Sequence, residues 1–200
     1  MSNTFWDQRY TGDDLAYGAA ANDFLVSMAD QLPSCGQALD LGAGEGRNAL
    51  FLASRGLNVL AIDQSKVGLQ KAQRLAQERG LTLRAEAVDL QDFDAEYNSF
   101  DVISSIFVHL PTTLRAGVHQ RVSAWLRPGG VFLLEAYAPD QIERGTGGPK
   151  DPSLLVSLEV ILRELDGLVI EHQAAQVRNV CEGRFHSGEA SVVQIRARKK

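Results

Sequence analysis

The sequence predicts a single-domain, doubly wound (Rossmann-like) α/β fold: a mostly parallel seven-stranded sheet with an antiparallel carboxy-terminal edge pair. Three observations predict it. Short runs rich in Val, Ile and Leu alternate with longer stretches of helical period, the pattern of βαβ units. The first of these runs, "QALDL", leads straight into "GAGEGRN", a strand followed by a glycine turn and a helix. The last two strand-like segments have no helix between them, so they can only pair antiparallel.

Each element has its own signal. "QALDL" reads as the first strand, "RNALFLASRG" as a helix closed by Gly56, and "NVLAID" as the second strand. "SKVGLQKAQRLAQERG" is a helix capped by Ser65 and stopped by Gly80. "LTLRAEAVD" and "FDVISSIF" suit the third and fourth strands, "TTLRAGVHQRVSAWL" a helix, and "GVFLLEAYA" the fifth strand after the turn "RPGG". A helix at "PSLLVSLEVILREL" precedes the strand pair "LVIEHQAAQVRN" and "ASVVQIRARK", which the polar "VCEGRFHSGE" separates. One domain spans 1–200, with 1–35 as an amino-terminal lid and helix region and 36–200 as the sheet core.

Composition narrows the function classes. Two hundred residues, 44% hydrophobic, can close a core without disulfides or metal. The formal net charge is -5 and the basic residues are dispersed, apart from the terminal "RARKK", so nucleic acid is not an expected partner. No apolar run reaches the roughly 18 residues of a membrane span, and "MSNTFWDQRY" lacks the order of a signal peptide. The expectation is a cytoplasmic protein away from membranes. Cys35 and Cys181 stand alone, without ligand spacing, so neither a disulfide framework nor a metal site is expected, and Cys35 reads as structural.

The glycine turn falls at the carboxyl end of the first strand, where open α/β sheets bind ligands. Gly42, Gly44 and Gly46 let the backbone turn tightly and approach a ligand closely, Ala43 is a candidate cofactor contact between the first two, and the next helix aims its amide dipoles into the crevice. Asp63 ends the second strand, where a carboxylate can accept both hydroxyls of a ribose. Asp89 closes the third strand and can accept from an adenine amino group, with the Leu90 amide serving a ring nitrogen; a simple capping Asp is the competing reading. Together these describe a nucleoside site. A nicotinamide dinucleotide fits less well, because its pyrophosphate would meet the carboxylate of Asp40 and its fingerprint spaces the glycines differently. S-adenosylmethionine has no phosphate, and its ammonium and sulfonium groups suit nearby acids.

At these residues the chain resembles the class I S-adenosylmethionine-dependent methyltransferases, over nearly its whole length. The resemblance implies that "LDLGAGEGRN" is the glycine motif and that Asp63, with Gln64 beside it, holds the ribose. It also implies that "AVDL" flanks the adenine and that "SSIFVHLP", including Ser105, Ile106 and Phe107, faces the transferred methyl. "FWDQRY", "YGAAANDFL", "SIFVHLP", "GTGGP" and "CEGRFHSG" are similar to the small tellurite-resistance (TehB-like) subgroup, with Ala21 standing where that subgroup has Pro before Asn22.

The expected activity is therefore methyl transfer from S-adenosylmethionine to a small molecule, such as a thiol, a chalcogenide or a chalcogen oxyanion. A non-catalytic S-adenosylmethionine-binding or regulatory protein is the alternative, and an NAD-dependent dehydrogenase a weaker one. Phe5, Trp6, Tyr10 and Tyr17 ahead of the first helix suggest a lid or a packed flap. Tyr17 and Arg47 are candidates to meet the methionyl carboxylate, although Arg47 is also an ordinary first-turn residue. His109 past the fourth strand and His186 between the last strands are the candidate catalytic pair, placed to orient or deprotonate the acceptor; a base of ordinary histidine pKa would titrate through about pH 6 to 7. Phe107 and Arg184 are candidate acceptor contacts, and the Gly-rich "ERGTGGPKDP" suggests a mobile wall.

Overall fold

A computed structural model of the chain describes residues 3–200. Its strands are β1 (Gln37–Leu41), β2 (Asn58–Asp63), β3 (Leu83–Ala87), β4 (Phe100–Ile106), β5 (Leu126–Tyr137), β6 (Leu168–Glu182) and β7 (His186–Lys199). The helices are α1 (Asn3–Tyr10), α2 (Asp23–Ser27), α3 (Arg47–Ser54), α4 (Lys66–Glu78), α5 (Thr112–Trp125) and α6 (Leu158–Glu164). The strands form one sheet in the order β3-β2-β1-β4-β5-β7-β6, parallel from β3 to β5, with β7 antiparallel to both β5 and β6. Strand order reverses between β1 and β4, and that reversal opens a crevice at their carboxyl ends.

Alternation along the strands feeds two cores. Leu39 and Leu41 pack with Val118, Val122 and Trp125 of α5 and Ile161 and Leu165 near α6. Ala38 and Val102 pack instead with Phe24 and Leu25 of α2, Ala49 and Leu52 of α3 and Leu69 of α4. Each fully buried Leu or Ile stabilises the fold by about 1.5–3 kcal/mol relative to an exposed one. Asp40 shares the parity of Ala38, so this carboxylate is carried into the layer beneath α3. Ser65 caps α4 by accepting from the Gly68 amide at 3.1 Å. Among the described residues, no helix is long and apolar enough to cross a membrane.

The structure corrects several boundaries. The aromatic amino-terminal segment is itself a helix, α1, rather than a strap ahead of the first one. β5 begins at Leu126 and includes "RPGG". The helix expected at "PSLLVSLEVILREL" is split: a short 3-10 turn at Pro152–Leu154 precedes α6, and the Val156 amide donates to Tyr137 O (3.1 Å). The last hairpin is much longer than its polar sequence suggests. Only Gly183, Arg184 and Phe185 form its turn, because polar residues on an edge strand can face water while their backbone pairs. Cys35 is exposed, so burial supports no structural role for it.

Candidate active site

A cavity of about 250 Å³ opens at the carboxyl ends of β1, β2 and β4, between the glycine loop, α1 and the β6–β7 turn. The loop turns back by donating from the Ala43 amide to Ile62 O (2.9 Å) and from the Gly46 amide to Ala43 O (2.9 Å). Gly44 has a φ of 55°, and a Cβ there would lie 2.8 Å from the Tyr10 hydroxyl. Only glycine meets both demands.

Asp63 anchors this loop. Its Oδ2 accepts from the Gly44 amide (2.9 Å) and its Oδ1 from the Ser65 amide (2.8 Å). Burial pushes its carboxyl above the ordinary value, against the lowering effect of those two amides. Each oxygen keeps a lone pair for a further donor. Gln64 lines the cavity beside it. Asp89 is exposed and does close a turn, its Oδ1 accepting from the Gln91 amide at 2.8 Å, while it also borders the cavity with Leu90.

Asp40 lies behind the loop rather than on the cavity wall, 1% exposed. Ser104 Oγ donates to its Oδ1 (2.6 Å), and its Oδ2 has no partner. Burial raises this carboxyl to about 7, with the Ser104 hydrogen bond and Arg47 opposing. Arg47 does line the cavity, but one of its Nη2 hydrogens is committed to Glu182.

The roof comes from the amino terminus. Asp7 accepts from Ser65 Oγ (2.6 Å), which ties α1 to the cap of α4. Glu45 accepts from Lys71 Nζ (2.8 Å) and the Ala16 amide (2.7 Å). Trp6, Tyr10 and Tyr17 thereby face the cavity, and Gly18 lies against Gly183 so closely that a Cβ on Gly183 would collide with the backbone of Tyr17 and Gly18.

Beyond the loop lies an aromatic chamber. Phe107 has a φ of 55°, which bulky residues adopt only under constraint; its amide donates to Glu135 O (2.7 Å) and its ring stacks on Tyr137 at 4.6 Å. The rings of His109 and His186 each lie 5.4 Å from that of Tyr137, and His186 lies 4.6 Å from Tyr17. Burial lowers both imidazoles to about 3, helped for His109 by His186 and for His186 by Arg47, Arg9 and Arg178. Neither ring sits near the ordinary histidine value, and both are neutral. His109 Nε2, His186 Nδ1 and the Tyr137 hydroxyl are buried without a hydrogen-bond partner.

Other expected site residues fall elsewhere. Ile106 borders the cavity, whereas Ser105 turns toward a small void shared with Arg115. Arg184 is exposed, its guanidinium 4.7 Å above the Phe185 ring and outside the cavity. His186 opens β7 rather than sitting in a loop. The segment expected to be a mobile wall is pinned, since Gln141 Nε2 donates to Thr146 Oγ1 and Gly147 O (both 3.1 Å) and its Oε1 accepts from the Ser191 amide (2.8 Å). Sequence reading passed over Glu135, although a lone charge in the apolar run "VFLLEAYA" is a signal that it has buried partners.

A seven-stranded sheet of this order, with a glycine loop at its reversal point, defines a class I methyltransferase fold. Residues 38–130 match a family described as "Methyltransferase domain", and this region is a methyltransferase domain of the S-adenosylmethionine-dependent class. The chain is 32% identical over 124 residues to the 2-heptyl-1-hydroxyquinolin-4(1H)-one methyltransferase of Mycobacteroides abscessus, covering 58% of this chain and 55% of that protein. It is also 32% identical over 141 residues to the ubiquinone biosynthesis O-methyltransferase of Actinobacillus pleuropneumoniae, covering 66% of this chain and 59% of the relative. The chain thus spans little more than half the length of these curated relatives. Among solved structures, TehB from Haemophilus influenzae superposes with a TM-score of 0.76 at 18% identity, over 99% of this chain and 67% of TehB. A structure from work on conversion of a disulfide bond into a thioacetal group during echinomycin biosynthesis gives 0.79 at 19% identity, over 100% and 90%.

The residues fit the cofactor of that class. Gly42, Ala43 and Gly44 line the cavity with close backbone, and the Asp63 carboxylate beside them keeps a free lone pair on each oxygen, an acceptor set that suits a ribose.

Proposed function

We propose that this chain is an enzyme that methylates a small molecule, using S-adenosylmethionine. One observation carries the reading: the glycine loop, Asp63, Asp89 and the chamber of Phe107, His109 and His186 all border one cavity. S-adenosylmethionine supplies an electrophilic methyl when bound. Asp63 would accept from the ribose, Asp89 and the Leu90 amide would meet the adenine, and Tyr17 and Arg47 would face the amino-acid tail. α1 and Tyr17 exclude water, so the acceptor is held in a dry site where positioning supplies much of the acceleration.

The acceptor end favours a thiol or another uncharged nucleophile over an oxyanion. Arg47 is the cavity's only lining cation among the described residues, and it is paired with Glu182; both imidazoles are neutral. A neutral imidazole accepts a hydrogen bond from an S–H or O–H and orients it, but a ring with a pKa of about 3 holds a proton poorly. The curated relatives named for a hydroxyquinolone and for O-methylation make a ring hydroxyl the second acceptor worth assaying. A cytosolic setting, which keeps thiols reduced, suits the exposed Cys35 and Cys181.

The test supplies S-adenosylmethionine with an aromatic thiol, a hydroxyquinoline, selenite or tellurite and measures S-adenosylhomocysteine. Product with the neutral acceptors and not the oxyanions is expected. Tight cofactor binding with no product from any acceptor would favour a regulatory binding protein instead.

A further inference from the structure

Behind the cavity, four charged side chains and two amides are buried together where the sheet edge meets the glycine loop. Glu135 of β5 is 0% exposed and Glu182, the last residue of β6, is 4% exposed. Asn22 bridges them, its Nδ2 donating to Glu135 Oε2 (2.5 Å) and Glu182 Oε1 (2.8 Å). Arg178 donates from Nε to Glu135 Oε1 (2.7 Å), and from Nη2 to Glu135 Oε2 (2.8 Å) and Glu182 Oε1 (3.0 Å). Gln194 Nε2 donates to Glu135 Oε1 (2.8 Å). These contacts occupy every oxygen except Glu182 Oε2, which receives Arg47.

Inside, two carboxylates balance two guanidiniums, and at the solvent edge the exposed Asp23 adds a third carboxylate by accepting from Arg178 Nη1 (3.2 Å). Its value is not stability: desolvating an ion costs several kcal/mol, and packed apolar residues commonly do as well. What the cluster does is fix directions. Arg47 borders the cavity while Glu182 does not, so the cation faces the ligand space and the anion stays behind it. An arginine on a flexible stem would otherwise sample many rotamers; held at one edge, its planar fork presents its remaining N–H groups in one orientation.

We infer that Glu182 is a positioning residue for the nucleoside ligand, holding the Arg47 fork toward the ligand's amino-acid tail. The inference rests on the S-adenosylmethionine reading above. It gives the carboxy-terminal hairpin, remote in sequence from the glycine loop, a part in cofactor selection. Asn22 and Arg178 aim Glu182, Glu182 aims Arg47, and the same hairpin leads through its three-residue turn to His186.

Two ligands separate this role from a merely structural one. S-adenosylhomocysteine carries the amino-acid tail, and 5'-methylthioadenosine is the same nucleoside without it. By calorimetry, Glu182→Gln should weaken S-adenosylhomocysteine roughly tenfold or more, the scale of a charged hydrogen bond, and leave methylthioadenosine within about twofold. Adding Glu182→Gln to Arg47→Ala should cost nothing further, because Glu182 acts through Arg47. Glu182→Asp keeps the cluster's charge while drawing the carboxylate back by one methylene, and should show the same split should the Gln variant fold poorly. Equal weakening of both ligands would reduce Glu182 to a structural residue, and no change in either would remove it from the site. If the parent binds neither nucleoside, the cofactor reading falls first and this inference with it.

Discussion

Replacing Asp40 with Asn should abolish a pH dependence of stability that the parent carries. The carboxyl is 1% exposed, and burial moves it from 3.8 to about 7. Below about pH 4 it is protonated in both folded and unfolded chains, so it imposes no ionisation penalty there. As pH rises toward 7 the unfolded chain ionises it while the fold keeps the proton; stability falls through this window and the loss is complete above it. The gap between 3.8 and about 7 is worth on the order of 4 kcal/mol, at roughly 1.36 kcal/mol per pH unit. Asn copies the protonated acid and keeps an oxygen for Ser104. Urea unfolding of parent and Asp40→Asn at intervals from pH 4 to 8 should show the variant gaining by about that amount, relative to the parent, as pH rises. A difference that stays constant across this range, or moves in the opposite direction, refutes the reasoning, because Asp40 would then be ionised in the fold.

Asp63→Ala should weaken S-adenosylhomocysteine by about 1.5–3 kcal/mol, read by calorimetry. It should also lower the melting temperature, because the Gly44 and Ser65 amides lose their acceptor; unchanged affinity in a folded variant removes Asp63 from the site. Gly44→Val should abolish binding, since a Cβ there meets the Tyr10 hydroxyl at 2.8 Å and φ is 55°; an unaltered dissociation constant would count against the loop's role. His186→Ala should leave cofactor affinity intact and slow turnover of a verified acceptor. The parent should show no histidine limb between about pH 5 and 8, because both rings sit near 3; a limb near pH 6.5 that disappears in the variant would show that burial was misjudged.

The half of the cavity built by the first three strand ends was legible because it is local. The glycine turn, Asp63 and Asp89 sit at strand ends that periodicity locates, and β1 and β2 begin and end where "QALDL" and "NVLAID" do. The hairpin was not, because edge-strand pairing tolerates polar residues and "VCEGRFHSGE" reads as a loop until its backbone partners are known. Arg184 was misplaced for the same reason, since one position along a strand or tight turn sends a side chain to the opposite side. The Arg47–Glu182 pair joins residues 135 positions apart, and no local pattern announces such a partner. The histidine pKa values were hidden too, because burial is set by Tyr17, Tyr137 and the turn at Gly147 rather than by neighbours in the chain.

The backbone approach of Gly18 to Gly183 also has a consequence for biosynthesis. These residues are separated by most of the chain, whereas the strands β1 to β5 that frame the cavity are complete by Tyr137. On the ribosome, the central parallel strands can pair and α1 can dock on α4 while the final hairpin is still being made, but the stretch at Tyr17 and Gly18 has nothing to close against until residue 183 has emerged. Sealing of the chamber is therefore among the last events of synthesis. In the finished protein it is also the contact that can part without dismantling the sheet, which gives small molecules a route in and out while the core stays folded.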